Sequence, residues 1–217
     1  MSNRAIAIYN SKGGQGKSIL TLVLATWAGL KGLNVGAVDG DDGRTVWDWG
    51  MSRQQSGKSI PFEISLVAGF NFAQRTIGGR SYEWIFVDFP PAFNDKIEQA
   101  LGYCDLLILP IKIGEAELNR LQRLFENRVI RDIPKIFVLN QILWFETRWL
   151  NPTRRKIEDL IKEYSPGSPI VEIKYRSEYG KFMQGTSFWD GRKPQLYKGP
   201  LWDELRRLFQ GVGLPLN

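Results

Sequence analysis

The sequence predicts an α/β fold: a doubly wound, mostly parallel sheet with helices on both faces. Three observations predict it. Apolar runs recur at about 4 to 9, 34 to 39, 61 to 67, 84 to 88, 105 to 111, 135 to 141 and 170 to 173, and most lack the two-residue alternation of a half-exposed strand. Helical patterns alternate with these runs, and there is no internal repeat, low-complexity tract or long linker. A glycine-rich turn, Asn10-Ser11-Lys12-Gly13-Gly14-Gln15-Gly16-Lys17-Ser18, joins the first run to a longer apolar stretch, Ile19 to Leu30, so a buried strand turns there into a helix. Ligands are expected at the carboxyl ends of such strands.

A glycine-rich turn between strand and helix gathers backbone N–H groups into a concavity with the positive end of the helix dipole behind it, which makes a phosphate cradle. Gly13, Gly14, Gln15 and Gly16 would wrap the phosphates, Lys17 would reach the β- and γ-phosphates, and Ser18 would place its hydroxyl on Mg²⁺. A bare turn is the plain alternative, but it needs neither lysine. The usual pattern starts with a glycine five residues before the Gly-Lys pair. Ser11 stands there instead, and a second lysine, Lys12, precedes Gly13-Gly14.

That wording resembles the deviant Walker A motif of the ParA/MinD group of P-loop ATPases. The resemblance implies that Lys12 crosses to the nucleotide of a second subunit, so that ATP and Mg²⁺ hold a homodimer together. It also implies a Mg²⁺-dependent ATPase, weak alone and stimulated by a partner protein. Lys12, Lys17 and Asp41 are then the catalytic candidates.

The second strand ends in Asp39-Gly40-Asp41-Asp42-Gly43. Carboxylates at a strand tip beside a phosphate cradle suit a hard cation and an attacking water, although a solvated acidic turn would read the same. The family commonly has Asp-x-Asp-Pro-Gln here. By resemblance Asp41 would orient the hydrolytic water and Asp39 would lie near the metal, while Asp42 and Gly43 depart from the pattern and put hydrolysis in doubt. Arg44 to Trp49 is expected to begin a helix with Trp47 and Trp49 in the core, and residues 50 to 60 to form a polar surface loop.

Trp84 to Asp88 puts four apolar residues before an aspartate, and Pro90-Pro91 follow. Beside a P-loop this is a Walker B strand whose Asp88 holds Mg²⁺, although any buried strand can end in Asp before a proline turn. The next strand runs from Asp105 to Pro110. Glu115 to Arg128 then carries Leu118, Leu121, Leu124 and Phe125 at amphipathic-helix spacing, its charged face read as solvated. Pro134 to Gln141 ends in Asn140, which resembles the family's base-binding asparagine and would read an adenine edge. A turn-forming Asn is the other reading.

Composition sets the frame. At 217 residues with no histidine and one cysteine, the chain is expected to be a single domain, residues 1–217, with neither an internal disulfide nor a cysteine cluster. No signal peptide precedes Arg4 and no apolar run approaches the roughly 18 residues of a membrane span, so a cytoplasmic protein is expected. The net charge is +6, and residues 140–217 hold 13 Lys+Arg against 9 Asp+Glu. Arg148, Arg154, Arg155, Lys156, Lys174, Arg176, Lys181, Arg192, Lys193 and Lys198 are spread over this basic third. Such charge suits contact with phosphates irrespective of sequence, though each residue alone reads as a solvated charge. The candidate DNA contacts are Arg154, Arg155, Lys174, Arg176, Lys181 and Lys198, and by resemblance they would act only in the ATP dimer, at the nucleoid.

The last helix, Pro200 to Gln210, gathers Leu201, Trp202, Leu205, Leu208 and Phe209 on one side. It reads either as a docked closing helix or as a membrane-surface anchor. Asp203, Glu204 and Pro215 favour docking. With no helix-turn-helix region ahead of the P-loop, the chain is most similar to the short ParA partition ATPases, which segregate or position plasmid, chromosome or other cargo through a ParB-like adaptor. A MinD-like membrane-cycling ATPase is the alternative, and a metabolic enzyme of the same fold is a third.

Overall fold

The computed structural model describes residues 3–67, 82–143, 146, 151–191 and 198–216. Seven parallel strands form one sheet in the order β3-β2-β4-β1-β5-β6-β7. They are β1 (Arg4–Ile8), β2 (Val35–Asp39), β3 (Glu63–Leu66), β4 (Trp84–Asp88), β5 (Leu106–Ile111), β6 (Lys135–Ile142) and β7 (Ile170–Lys174). Each expected strand is present, with ends within about two residues. The helices are α1 (Lys17–Leu30), α2 (Thr45–Gln55), α3 (Asp95–Leu101), α4 (Glu115–Glu126), α5 (Arg128–Asp132), α6 (Pro152–Tyr164), α7 (Ser177–Met183) and α8 (Pro200–Val212).

Both faces of the sheet are covered, which is why its strands read as unbroken apolar runs. On one face Ala5, Ala7, Ile85 and Val87 meet α3, α4, α5 and α6 through Leu101, Leu121, Ile130 and Ile157. On the other Ile6, Ile8 and Phe86 meet α1, α2, α7 and α8. β2, β3 and β4 lie on one side of β1, and β5, β6 and β7 on the other. The connections leaving β1 and β5 run to opposite sides of the sheet, so the topology places a ligand site at the carboxyl ends of these neighbouring strands.

One expectation is corrected. Residues 50 to 60 are not all surface loop, because α2 continues to Gln55. Its Arg53 is buried, bonded to both carboxylate oxygens of Asp190 at 2.9 and 3.0 Å and to the Ser59 and Gly185 carbonyls. Trp49 does lie in the core, stacked on Phe182 and donating its ring N–H to the Phe182 carbonyl at 2.7 Å.

The last helix docks. Leu205, Leu208, Phe209 and Val212 of α8 are buried, and Phe209 lies parallel to Trp27 of α1 with ring centroids 5.0 Å apart. Trp27 also meets Trp189 and Trp202, and its ring N–H donates to the Pro215 carbonyl at 3.0 Å. Gly213 ends α8 in the left-handed conformation at φ 87°. Among the described residues no helix is long and apolar enough to cross a membrane.

Candidate functional site: a phosphate cradle

The loop between β1 and α1 is pinned by three buried amides. Asn10 donates Nδ2 to the Pro110 carbonyl at 2.8 Å and accepts at Oδ1 from the Lys12 N–H at 3.0 Å. Gln15 accepts at Oε1 from the Lys112 N–H at 2.8 Å. Asn140 donates Nδ2 to the Gln15 carbonyl at 2.6 Å. The cradle is therefore tied to β5 and β6, and each tie is worth about 1 kcal/mol. Gly14 and Gly16 hold φ of 72° and 95°. A Cβ on Gly16 would fall 2.1 Å from Asn140 Nδ2, so glycine is required there by conformation and by space.

Lys17, the first residue of α1, is buried and its Nζ donates to the Lys12 carbonyl at 3.3 Å. Burial lowers its pKa, while Asp88 and Asp41 push the other way. Asp39 and Asp88 are register partners at the tips of β2 and β4, both buried. Asp39 accepts from the Asp41 N–H at 3.2 Å and the Trp47 N–H at 2.9 Å, so it ties the acidic turn and the start of α2 to the sheet. Asp41 is half-buried, its Oδ1 accepting from the Gly43 N–H at 3.1 Å, and Asp42 is exposed. The acids expected at the site thus divide into an anchored Asp39, a buried Asp88 and a partly open Asp41.

Neither oxygen of Asp88 has a hydrogen-bond partner of good geometry. Burial raises its pKa to about 7. The nearby Ser18 hydroxyl and Lys17 charge oppose the rise, and Asp39 and Asp41 add to it. A carboxylate with orphaned oxygens beside a serine hydroxyl fits a Mg²⁺ ion that takes its other ligands from water and phosphate. Ser18 and Asp88 would hold it. Asp39 fits less well as a ligand, since both its oxygens already serve backbone N–H groups.

Asn140 differs from expectation. A bulge between Asn140 and Ile142, with Gln141 at φ 57°, turns the Asn140 amide under the phosphate loop. Its Oδ1 accepts from the Gln141 N–H at 2.9 Å, so both ends of the amide are engaged. A cavity of about 440 Å³ opens beside it, lined among others by Ile19, Leu20, Gln141, Tyr175, Tyr179 and Met183. The Tyr179 hydroxyl is buried without a hydrogen-bond partner. These tyrosines carried no sequence signal that set them apart from other loop aromatics.

Glu117 and Arg120 were also missed. Glu117 of α4 is buried and takes the Lys12 ammonium. It shares the i, i+4, i+7 stripe of Leu121 and Leu124, and an acid on an apolar stripe was the available signal.

Among the described residues the expected basic contacts divide into buried and exposed side chains. Arg154 is corrected outright: it is buried, paired with Glu158 at 2.9 Å and with Glu172, and bonded to the Glu146 carbonyl at 3.0 Å. It is a structural ion and is not available to DNA. Arg176 is half-buried and held by the buried Glu204 at 2.6 Å. Arg155, Lys174, Lys181 and Lys198 are exposed. Lys181 and Lys198 line a cavity of about 500 Å³ with Phe188, Trp189 and Trp202. Arg148, Arg192 and Lys193 lie outside the described residues.

A pinned glycine loop at the head of α1, a buried lysine behind it and an orphaned carboxylate at the tip of the neighbouring strand define a nucleotide-binding P-loop protein. The CobQ/CobB/MinD/ParA nucleotide binding domain family matches residues 6–184. The chain belongs to that family.

Solved structures share its fold. The ATP complex of a Cyanothece McdA variant superposes with a TM-score of 0.71 at 15% identity, covering 99% of this chain and 98% of that one. A Borrelia burgdorferi B31 protein assigned to plasmid partition, bound to AMPPNP, gives 0.68 at 14%, covering 97% and 98%. MinD of Pyrococcus horikoshii OT3 with Mg-ADP gives 0.65 at 16%, covering 97% and 96%. The sequence has no match among curated proteins.

Proposed function

We propose that this chain is a ParA-like partition ATPase that binds ATP and Mg²⁺, closes into a homodimer, holds DNA irrespective of sequence and releases it when a partner protein stimulates hydrolysis. The observation that carries the reading is the pair of lysines on one loop. Lys17 is buried behind the cradle, whereas the Lys12 side chain is 42% exposed at its rim. One lysine is built to grip a phosphate in cis, and the other stands at the rim with its ammonium on Glu117, on a stem long enough to reach outward once released.

Lys17 neutralises the β- and γ-phosphate oxygens, and Asp41 orients a water for attack on the γ-phosphate. Mg²⁺, when bound, spreads the phosphate charge in the transition state. Gly13 and Gly14, exposed at the rim, leave room for phosphate oxygens. The base lies in the cavity beside Asn140, where the Tyr179 hydroxyl supplies an unused polar group. The relatives with ATP, AMPPNP and Mg-ADP support the choice of ligand.

Arg155, Lys174, Lys181 and Lys198 supply the DNA contacts, and the chain works in the cytoplasm at the nucleoid as one domain. Plasmid, chromosome or another cargo then moves through a ParB-like adaptor. The docking of α8 weighs against the MinD-like alternative, because its apolar face is spent on Trp27 and the core.

The test is DNA retention with ADP, ATP and a slowly hydrolysed analogue across a salt series, with sedimentation alongside. Retention and dimers are expected with ATP and with the analogue, and neither with ADP. Equal retention in all nucleotide states would refute the reading.

A further inference from the structure

Resting on the cross-subunit reading of Lys12, we infer that Glu117 is its positioning residue: it holds the lysine in cis in the unassembled chain and passes to Arg120 when the lysine leaves. Two acids lie in the first turn of α4, and they differ. Glu115 is exposed and bonds Thr153, whereas Glu117 is 5% exposed. Its Oε1 takes the Lys12 ammonium. Its Oε2 has no hydrogen-bond partner, and neither has Arg120 Nε, which stands 3.8 Å away one turn along the helix.

A carboxylate at this depth requires a cation, and a partner removed without replacement leaves a costly uncompensated charge. Lys12 has a flexible stem and an exposed side chain, so its ammonium can leave. Closing the gap between Arg120 and Oε2 would replace it and satisfy both orphaned atoms. The free and assembled states then differ in which cation Glu117 keeps. The nucleotide must win Lys12 from this pair, so Glu117 raises the threshold for assembly.

The experiment uses the full chain as wild type, Glu117→Gln, Arg120→Gln and the double variant. Acetylation of Lys12 by N-hydroxysuccinimide acetate without nucleotide, read by mass spectrometry, is expected to run severalfold faster in Glu117→Gln, with the other lysines unchanged. Sedimentation with Mg²⁺ and a non-hydrolysed ATP analogue is expected to show Glu117→Gln dimerising at about tenfold lower concentration. Arg120→Gln should dimerise less readily, and that loss should vanish in the double variant.

Equal acetylation rates in wild type and Glu117→Gln overturn the inference, as does an Arg120→Gln defect that persists in the double variant. Should Glu117→Gln fold poorly, Glu117→Asp keeps the charge and shortens its reach, and Lys12 acetylation still decides. A wild type that stays monomeric with the analogue would refute the cross-subunit reading of Lys12, while acetylation separately tests whether Glu117 holds it.

Discussion

Among the described residues Asp88 carries the sharpest chemical signature, a buried carboxylate beside the Ser18 hydroxyl whose oxygens have no hydrogen-bond partner of good geometry. Its folded pKa of about 7 lies above the ordinary value of 3.8, so between roughly pH 4 and 7 the folded chain holds a proton that the unfolded chain has lost. Stability without Mg²⁺ therefore falls as pH rises through that window. Asp88→Asn is expected to remove the fall, leaving the variant a few kcal/mol more stable than wild type at pH 8. Thermal melts in EDTA at pH 5 and pH 8 check this, and parallel pH profiles for the two proteins would contradict it. Mg²⁺ with nucleotide should cancel the wild-type deficit while leaving Asp88→Asn unhelped. A second test at this scale concerns Gly16. Alanine there must hold φ near 95° with its Cβ against Asn140. Gly16→Ala should cost more than about 1 kcal/mol in a denaturant melt and abolish nucleotide binding by titration.

At the scale of elements, α8 decides between two readings that its amphipathic pattern left open. Its apolar face is engaged: Leu208 and Phe209 are fully buried and Phe209 stacks on Trp27. Phe209→Ala should cost about 3–5 kcal/mol in chemical denaturation, whereas an unattached amphipathic helix would lose almost nothing. The same contrast explains what was legible in the sequence. The strands were, because burial on two faces writes itself as contiguous apolar runs. So was the phosphate loop, because its glycines and lysines act within nine residues. Arg53 and Arg176 were not, since Asp190 and Glu204 lie 137 and 28 residues away, nor was Arg154, whose i, i+4 pairing with Glu158 reads the same on a solvated helix face while Glu172 lies 18 residues away. A cation's partner across the fold leaves no local pattern, and an arginine bound for the interior reads like a solvated one. Asn140 was found at the right place, but its engagement with Gln15 depends on a bulge that spacing does not reveal.

For the whole molecule, the question is how a chain of net charge +6 would meet a polyanion. The basic third is not one uniform patch, because some of its cations are neutralised inside the fold. Arg154 belongs to this internal class and Lys181 and Lys198 to the external one, which separates two effects that a simple charge count would merge. Removing Lys181 and Lys198 together should leave the melting temperature nearly unchanged and reduce the slope of log affinity against log salt by about 2 per protomer, or about 4 for the dimer, because each phosphate contact releases roughly one counterion. Arg154→Ala should do the opposite. It leaves Glu158 buried without its cation, which costs about 3–5 kcal/mol and lowers the melting temperature on the order of 10 °C. The protein that stays folded should keep the wild-type salt slope. DNA retention with the ATP analogue from low to moderate salt, beside thermal melts of the same preparations, measures both quantities. If Arg154→Ala flattened the slope while Lys181→Ala/Lys198→Ala left it steep, the division of this basic surface into structural and DNA-facing charges would be wrong.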